Sequence, residues 1–238
     1  MEDDSASNIL VITAHPDDVD YGAAGTVARW TSAGRQVTYC LVTDGEAGGF
    51  DPSVSRRKMA DIRRAEQTAA AKTVGVERLF FLGYPDGRVA VTIDLRRDLS
   101  RVIRTVRPDR VVCQSPVRNL DSVYASHPDH LAAGEAALCA VYPDARNQFA
   151  HEELAGKEGL EPWSVPEVWL MGGPTPDIFS DVTDHIETKV SALRCHVTQL
   201  TDPEATDGMI RRWGEAVGRQ GGLPEGRLAE SFRRLHTA

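Results

Sequence analysis

A chain of 238 residues with 41% hydrophobic and 26% charged side chains is long enough to bury a full core, and one domain over 1–238 is the simplest count. The formal net charge is -8, and the 27 basic residues are scattered along helical stretches, so nucleic acid and anionic membrane are poor default partners. Met1-Glu2-Asp3-Asp4-Ser5 is acidic and polar, unlike the start of a signal peptide, and no apolar span approaches the ~20 residues a membrane helix needs, so a cytoplasmic protein is expected.

The first strand is Ile9-Leu10-Val11-Ile12-Thr13-Ala14, an unbroken apolar run that reads as buried on both faces of a parallel sheet and stops at His15-Pro16-Asp17-Asp18. Ala23 to Trp30 reads as a helix with Gly34 as its cap, and Gln36 to Thr43 as a second strand ending in the Gly-rich loop Thr43 to Gly49. Ser55 to Val74 has a helical pattern in which Met59, Ile62, Ala65, Ala69 and Ala70 can share one face. Arg78 to Leu82 is a third strand, followed by the turn Gly83-Tyr84-Pro85-Asp86-Gly87. Leu95 to Val106 is a helix closed by Pro108, and Asp109 to Cys113 a fourth strand. A polar loop, Gln114 to Ser126, leads to His127-Pro128-Asp129-His130 and a helix through Ala140.

The segment 143–166 gathers Pro, Gly, Glu and Asn and is a candidate lid or interface insertion. Beyond it, Val168 to Met171 and Ile178 to Val182 read as strands, Ile186 to Cys195 as a helix, and Pro203 to Leu235 as mostly helical. Strands alternating with helices at this spacing imply an α/β, Rossmann-like doubly wound, mostly parallel sheet with helices on both faces. Such folds place the active site at the carboxyl ends of their strands. Cys40, Cys113, Cys139 and Cys195 are far apart, without a C-x-x-C, and read as buried free thiols.

Two His/Asp clusters, His15-Pro16-Asp17-Asp18 and His127-Pro128-Asp129-His130, each follow an apolar strand and can meet at one edge of a parallel sheet. Their imidazoles and carboxylates suit Zn²⁺, with Fe²⁺ or another divalent metal tolerated. Two histidines and one carboxylate satisfy a catalytic zinc, leaving a carboxylate to take a proton from water and a histidine to face the substrate carbonyl. Each residue also has a plainer reading. Asp18 can cap the helix that follows, and His127-Pro128-Asp129 can be an ordinary helix start. Glu46 can be a solvated loop residue, Arg64 a surface helix charge, and Asp86 a Pro-Asp-Gly turn residue. The Thr43 to Gly49 loop lacks the Lys-Ser/Thr of a phosphate-binding loop. His151, His185 and His236 read as surface residues, and His196 and Gln199 as helix packing.

In order along the chain, A-H-P-D-D with V-D-x-G, T-D-G-E-x-G, R-R-x-E, L-G-x-P-D-G, H-P-D-H and H-x-T-Q resemble the LmbE-like superfamily, which includes the N-acetylglucosaminyl-phosphatidylinositol deacetylase (PIG-L) and related sugar and sugar-thiol deacetylases. The resemblance spans roughly residues 8 to 200. It implies metal on His15, Asp18 and His130, Asp17 as general base, His127 as the group that stabilises the oxyanion, and Asp129 as the residue that orients His127. It assigns Glu46, Arg64 and Asp86 to substrate hydroxyls. The chain departs from the commoner first motif by carrying Val19 where many relatives have Glu.

The implied activity is zinc-dependent removal of an N-acetyl group from a small amino sugar or glycoconjugate. Amide hydrolysis on a larger acyl or thiol-conjugate substrate, and a sugar-binding module without turnover, are the alternatives. Self-association into a homo-oligomer stays open.

Overall fold

The computed structural model describes residues 6–120 and 123–237, so the acidic start Met1 to Ser5 lies outside the described residues. In chain order the elements are β1 (Asn8–Thr13), α1 (Asp18–Gly22), α2 (Ala24–Ser32), β2 (Gln36–Thr43), α3 (Arg56–Thr73), β3 (Arg78–Tyr84), α4 (Ile93–Val106), β4 (Arg110–Gln114), α5 (Pro128–Cys139), α6 (Glu152–Gly156), β5 (Glu167–Met171), β6 (Ile178–Asp181), α7 (Ile186–Leu193), α8 (Pro203–Gln220) and β7 (Ala229–His236). The strands form one seven-stranded sheet in the order β3-β2-β1-β4-β5-β7-β6. From β3 to β5 neighbours run parallel, while β7 is antiparallel to both β5 and β6.

Why β1 reads as one apolar run follows from its position. Ile9 and Val11 enter the core under α2, α3 and α7, whereas Leu10 and Ile12 enter the opposite core under α4 and α5. With both faces covered, alternation disappears from the sequence. The strand order reverses between β1 and β4, which opens a crevice at their adjacent carboxyl ends. No helix among the described residues is long and apolar enough to cross a membrane. The cysteines are free, but only Cys40 and Cys113 are fully buried; Cys139 and Cys195 are half-buried.

Two expectations change. The tail is not helical to Leu235, because Ala229–His236 is a strand inserted between β5 and β6. Its inward positions include Glu230, whose carboxylate accepts from Lys189 Nζ (2.6 Å) and from the Gly25 and Thr26 amides at the start of α2 (3.0 and 2.8 Å). A buried charge thus hides the strand's apolar pattern. The stripe buried by α3 is also different: Met59, Arg63, Glu66, Gln67, Ala70 and Ala71 face inward, and Ala65 and Ala69 are exposed.

Segment 143–166 lies along α4. The Arg104 guanidinium, 2% exposed, donates to the main-chain carbonyls of Asp144, Ala145, Asn147, Ala150 and Leu160. Trp163 Nε1 donates to Pro108 O (2.8 Å). His151 is not a surface residue, since its side chain is 11% exposed and lies 3.4 Å from Asp144. Arg104→Met should therefore lower unfolding free energy by about 2–4 kcal/mol, because buried carbonyls lose a charged donor. Urea denaturation checks this, with metal content expected to stay at the wild-type level.

Candidate metal centre and catalytic site

β1 and β4 set the site. His15 to Asp18 follow β1, and His127 opens α5 after the loop that leaves β4. The two strand ends are tied by Ala14 N donating to Gln114 Oε1 (2.9 Å). His127 is a helix start and a site residue together: its Nδ1 accepts from Asp129 N (3.2 Å), and Pro128 occupies the first turn. That acceptor role leaves the proton of the neutral ring on Nε2. Burial, reinforced by His15 and His130, lowers the His127 pKa, so the neutral form is favoured. Asp18 caps no helix; its Oδ2 folds back to accept from His15 N (2.7 Å).

Donor atoms of three residues converge. His15 Nδ1 lies 3.3 Å from His130 Nε2 and 3.4 Å from Asp18 Oδ2, and His130 Nε2 lies 3.0 Å from Asp18 Oδ1. A tetrahedral ion with bonds of about 2.0–2.1 Å holds its ligand atoms about 3.3 Å apart, so the donor set fits zinc in both chemistry and spacing. The His127 ring stands 5.1 Å from His15 and 5.3 Å from His130 between centroids, beside the triangle. Burial opposes charge on Asp18, yet His130 and His15 outweigh it and hold the carboxyl well below its usual range. Burial likewise disfavours the His15 cation, but Asp18, Asp129 and Asp86 prevail and push its pKa up to about 12. Positive charge on the His15 ring occupies the electrostatic place that a divalent cation would take.

The other edge of His15 corrects two expectations. Asp129 does not orient His127 through its carboxylate. That group accepts from the Gly87 and Val89 amides (2.7 and 3.2 Å) and lies 3.2 Å from His15 Nε2. Asp86 Oδ1 lies 3.1 Å from the same nitrogen, and its Oδ2 accepts from Ala47 N (2.9 Å). Asp86 is 7% exposed and offers substrate no free oxygen; with Asp129 it fixes the ring whose Nδ1 faces the metal position. Among the described residues two further groups of three lie close enough to hold an ion: His15, His127 and His130, and His15, Asp86 and Asp129.

Asp17 stands apart from the triangle. Its Oδ2 accepts from Arg63 (2.9 Å), whose guanidinium also donates to Gly45 O (3.0 Å). A Cβ on Gly45, at φ +67, would run into that guanidinium, which accounts for the Gly-rich loop without any phosphate. Burial raises the Asp17 pKa to about 6 against the pull of Arg63. Arg64, the arginine expected at the substrate, makes a bidentate pair with Asp44 (2.7 and 2.7 Å), and its side chain is 44% exposed. Glu46 Oε1 accepts from Asp86 N (2.9 Å) and so braces two loops. Arg63, Gln67, Asp44 and Gln114 were not singled out by sequence; the i, i+4, i+8 spacing of Met59, Arg63 and Gln67 was the signal available.

The GlcNAc-PI de-N-acetylase family (PIG-L) matches residues 10–141. The diacetylchitobiose deacetylase of Thermococcus kodakarensis is 33% identical over 194 residues, covering 82% of this chain and 70% of that one. A probable N-acetyl-alpha-D-glucosaminyl L-malate deacetylase 2 of Bacillus anthracis is 30% identical, covering 81% of each. The structure of N,N'-diacetylchitobiose deacetylase from Pyrococcus horikoshii superposes with a TM-score of 0.88 at 31% identity, covering 98% of this chain and 85% of that one. With the family match running from Leu10 in β1 past the end of α5, and so over His15, Asp18 and His130, the chain belongs to the GlcNAc-PI de-N-acetylase (PIG-L, LmbE-like) family.

Proposed function

We propose that this chain is a zinc-dependent hydrolase that removes the N-acetyl group from a small amino sugar or glycoconjugate, giving acetate and a free amine. The observation that carries the reading is the His15–Asp18–His130 triangle, with a carboxylate (Asp17) and a neutral Nε2–H imidazole (His127) beside it. A bound cation there supplies Lewis acidity, lowering the pKa of a water and polarising an amide carbonyl.

The chain's own residues do the rest. Asp17, through the oxygen not held by Arg63, takes a proton from the attacking water as its oxygen adds to the carbonyl carbon. His127 Nε2–H donates to the carbonyl oxygen as negative charge develops, an interaction stronger in the transition state than in the ground state. Collapse breaks the C–N bond, and the proton taken up by Asp17 passes to the departing nitrogen. Asp86 and Asp129 keep His15 Nδ1 directed at the cation. Glu46 and the exposed Asp44–Arg64 pair are the groups left to meet sugar hydroxyls. Four free thiols suit a reducing cytoplasmic setting.

One observation supports an apolar extension of the substrate: Phe50, Val117, Leu120 and Val123 stand exposed on the loops that carry Glu46 and His127. A long acyl chain or an apolar aglycone would cover them.

Acetate and amine release from N-acetylglucosamine, diacetylchitobiose, N-acetylglucosaminyl-inositol and a longer N-acyl analogue, before and after chelation, tests this function. Zinc-restored acetate release is expected; a zinc-loaded protein inert on every acetamide but active on the long acyl chain would move the assignment to larger amides. His130→Ala should empty the site by elemental analysis, whereas His127→Ala should keep the metal. Asp17→Asn should retain metal and lose kcat on the order of 100-fold or more, the usual scale for a positioned base. Turnover at the wild-type rate in that variant would remove Asp17 from the role.

A further inference from the structure

Asp17 holds an unusual backbone. Its φ is 88° and ψ is -28°, and among the described non-glycine residues only Arg107 and His151 share a positive φ. Such a conformation persists when surrounding bonds over-determine it. The Asp17 N–H donates to Gln67 Oε1 (2.8 Å), Gln67 Nε2 donates to Asp20 Oδ2 (2.9 Å), and the same oxygen lies 2.8 Å from His196 Nε2. Gln67 and Asp20 are 0% exposed and His196 is 1% exposed. The chain of bonds therefore runs, through three buried side chains, from the end of α7 through α1 and α3 to the half-buried peptide of Asp17.

We infer that Gln67, Asp20 and His196 are positioning residues for catalysis: a buried relay that holds the Asp17 peptide at positive φ and so aims its carboxylate away from the metal triangle and toward the attacking water. This rests on the reading of Asp17 as the base.

Three features support the assignment over plain packing. The relay touches no metal ligand's side chain, and its terminal bond is spent on one backbone N–H, that of the residue with the strained conformation. Asp20 Oδ1 and His196 Nδ1 are buried without a hydrogen-bond partner, so the network is only partly satisfied. An apolar filling of the same shape would be as stable or more so, and stability alone does not account for it. Finally, His196 is itself held in place: Thr198, two residues on, donates through N and Oγ1 to the two oxygens of Glu66 (2.8 and 2.8 Å), one residue before Gln67 on α3. The H-x-T-Q element, read from sequence as helix packing, is thereby fastened to the helix that carries both Arg63 and Gln67.

The experiment compares His196→Leu, which removes the donor, with His196→Gln, which keeps an N–H at the Nε2 position, each alone and combined with Asp17→Asn. His196→Leu should retain metal and KM and lose kcat on the order of tenfold to a hundredfold, the effect expected from misplacing a reacting group. His196→Gln should recover most of that loss. In the Asp17→Asn background the leucine substitution should cost less than about twofold, because a relay acting through Asp17 has nothing left to position. Crystal structures of the two single variants give a readout independent of turnover: Asp17 should leave positive φ in the leucine variant and keep it in the glutamine variant. An unmoved Asp17 backbone, loss of metal, or an undiminished penalty in the Asp17→Asn background would overturn the relay. If the wild-type protein hydrolyses no amide, the deacetylase reading fails while the backbone comparison still decides whether the relay holds Asp17.

Discussion

Charge compensation at the carboxyl ends of β1 and β4 is the constraint on which the rest of the structure depends. The carboxylates of Asp18, Asp86 and Asp129 all lie within 3.4 Å of the single ring of His15, and Asp17 is next in the chain. At an effective dielectric of about 20, two like charges 4 Å apart repel by about 4 kcal/mol. A fold with net stability of about 5–15 kcal/mol could not carry several such pairs uncompensated. Positive charge must enter the cluster: Arg63 serves Asp17, the imidazole edges serve Asp86 and Asp129, and on the proposed reading a cation serves the triangle of His15, His130 and Asp18.

The fold is arranged to make that cluster rigid. β1 and β4 are central parallel neighbours, covered on both faces, so the loops leaving them start from fixed points. The remaining loops are tied to the cluster by main-chain amides. Ala47 holds Asp86, Glu46 holds the Asp86 amide, and Gly87 and Val89 hold Asp129. Residues that a sequence reader assigns to substrate are in this way partly consumed by the scaffold. The consequence is preorganisation: the rotamers of the residues around the metal position are set before any substrate arrives.

Most of the parallel half of the sheet was legible from sequence, because strands buried on both faces write themselves as apolar runs such as Ile9 to Ile12. That the two His/Asp clusters meet was legible from the apolar strands that precede them, and the metal triangle proposed there comes from their resemblance to a known family. What stayed hidden has a common physical cause. β7 conceals itself by burying Glu230 against Lys189 and the start of α2. The inner face of α3 conceals itself by burying Arg63, Glu66 and Gln67, so a search for apolar periodicity selected Ala65 and Ala69 on the outer face. At both places a charged or amide side chain occupies a core position because it has a specific partner, and hydropathy cannot see partners. Arg63 and Arg64 make the same point within one motif: adjacent and chemically identical, they leave α3 in different directions, and only the buried one reaches Asp17.

The central claim is the identity of the three ligands, and the most direct test is the anomalous difference map at the zinc edge from crystals of the zinc-loaded protein. One strong peak bonded to His15 Nδ1, Asp18 and His130 Nε2 is expected, with His15 Nε2 still facing Asp86 and Asp129. A peak lodged among His15, His127 and His130, or between His15 Nε2, Asp86 and Asp129, the two other groups able to hold an ion, would contradict that assignment.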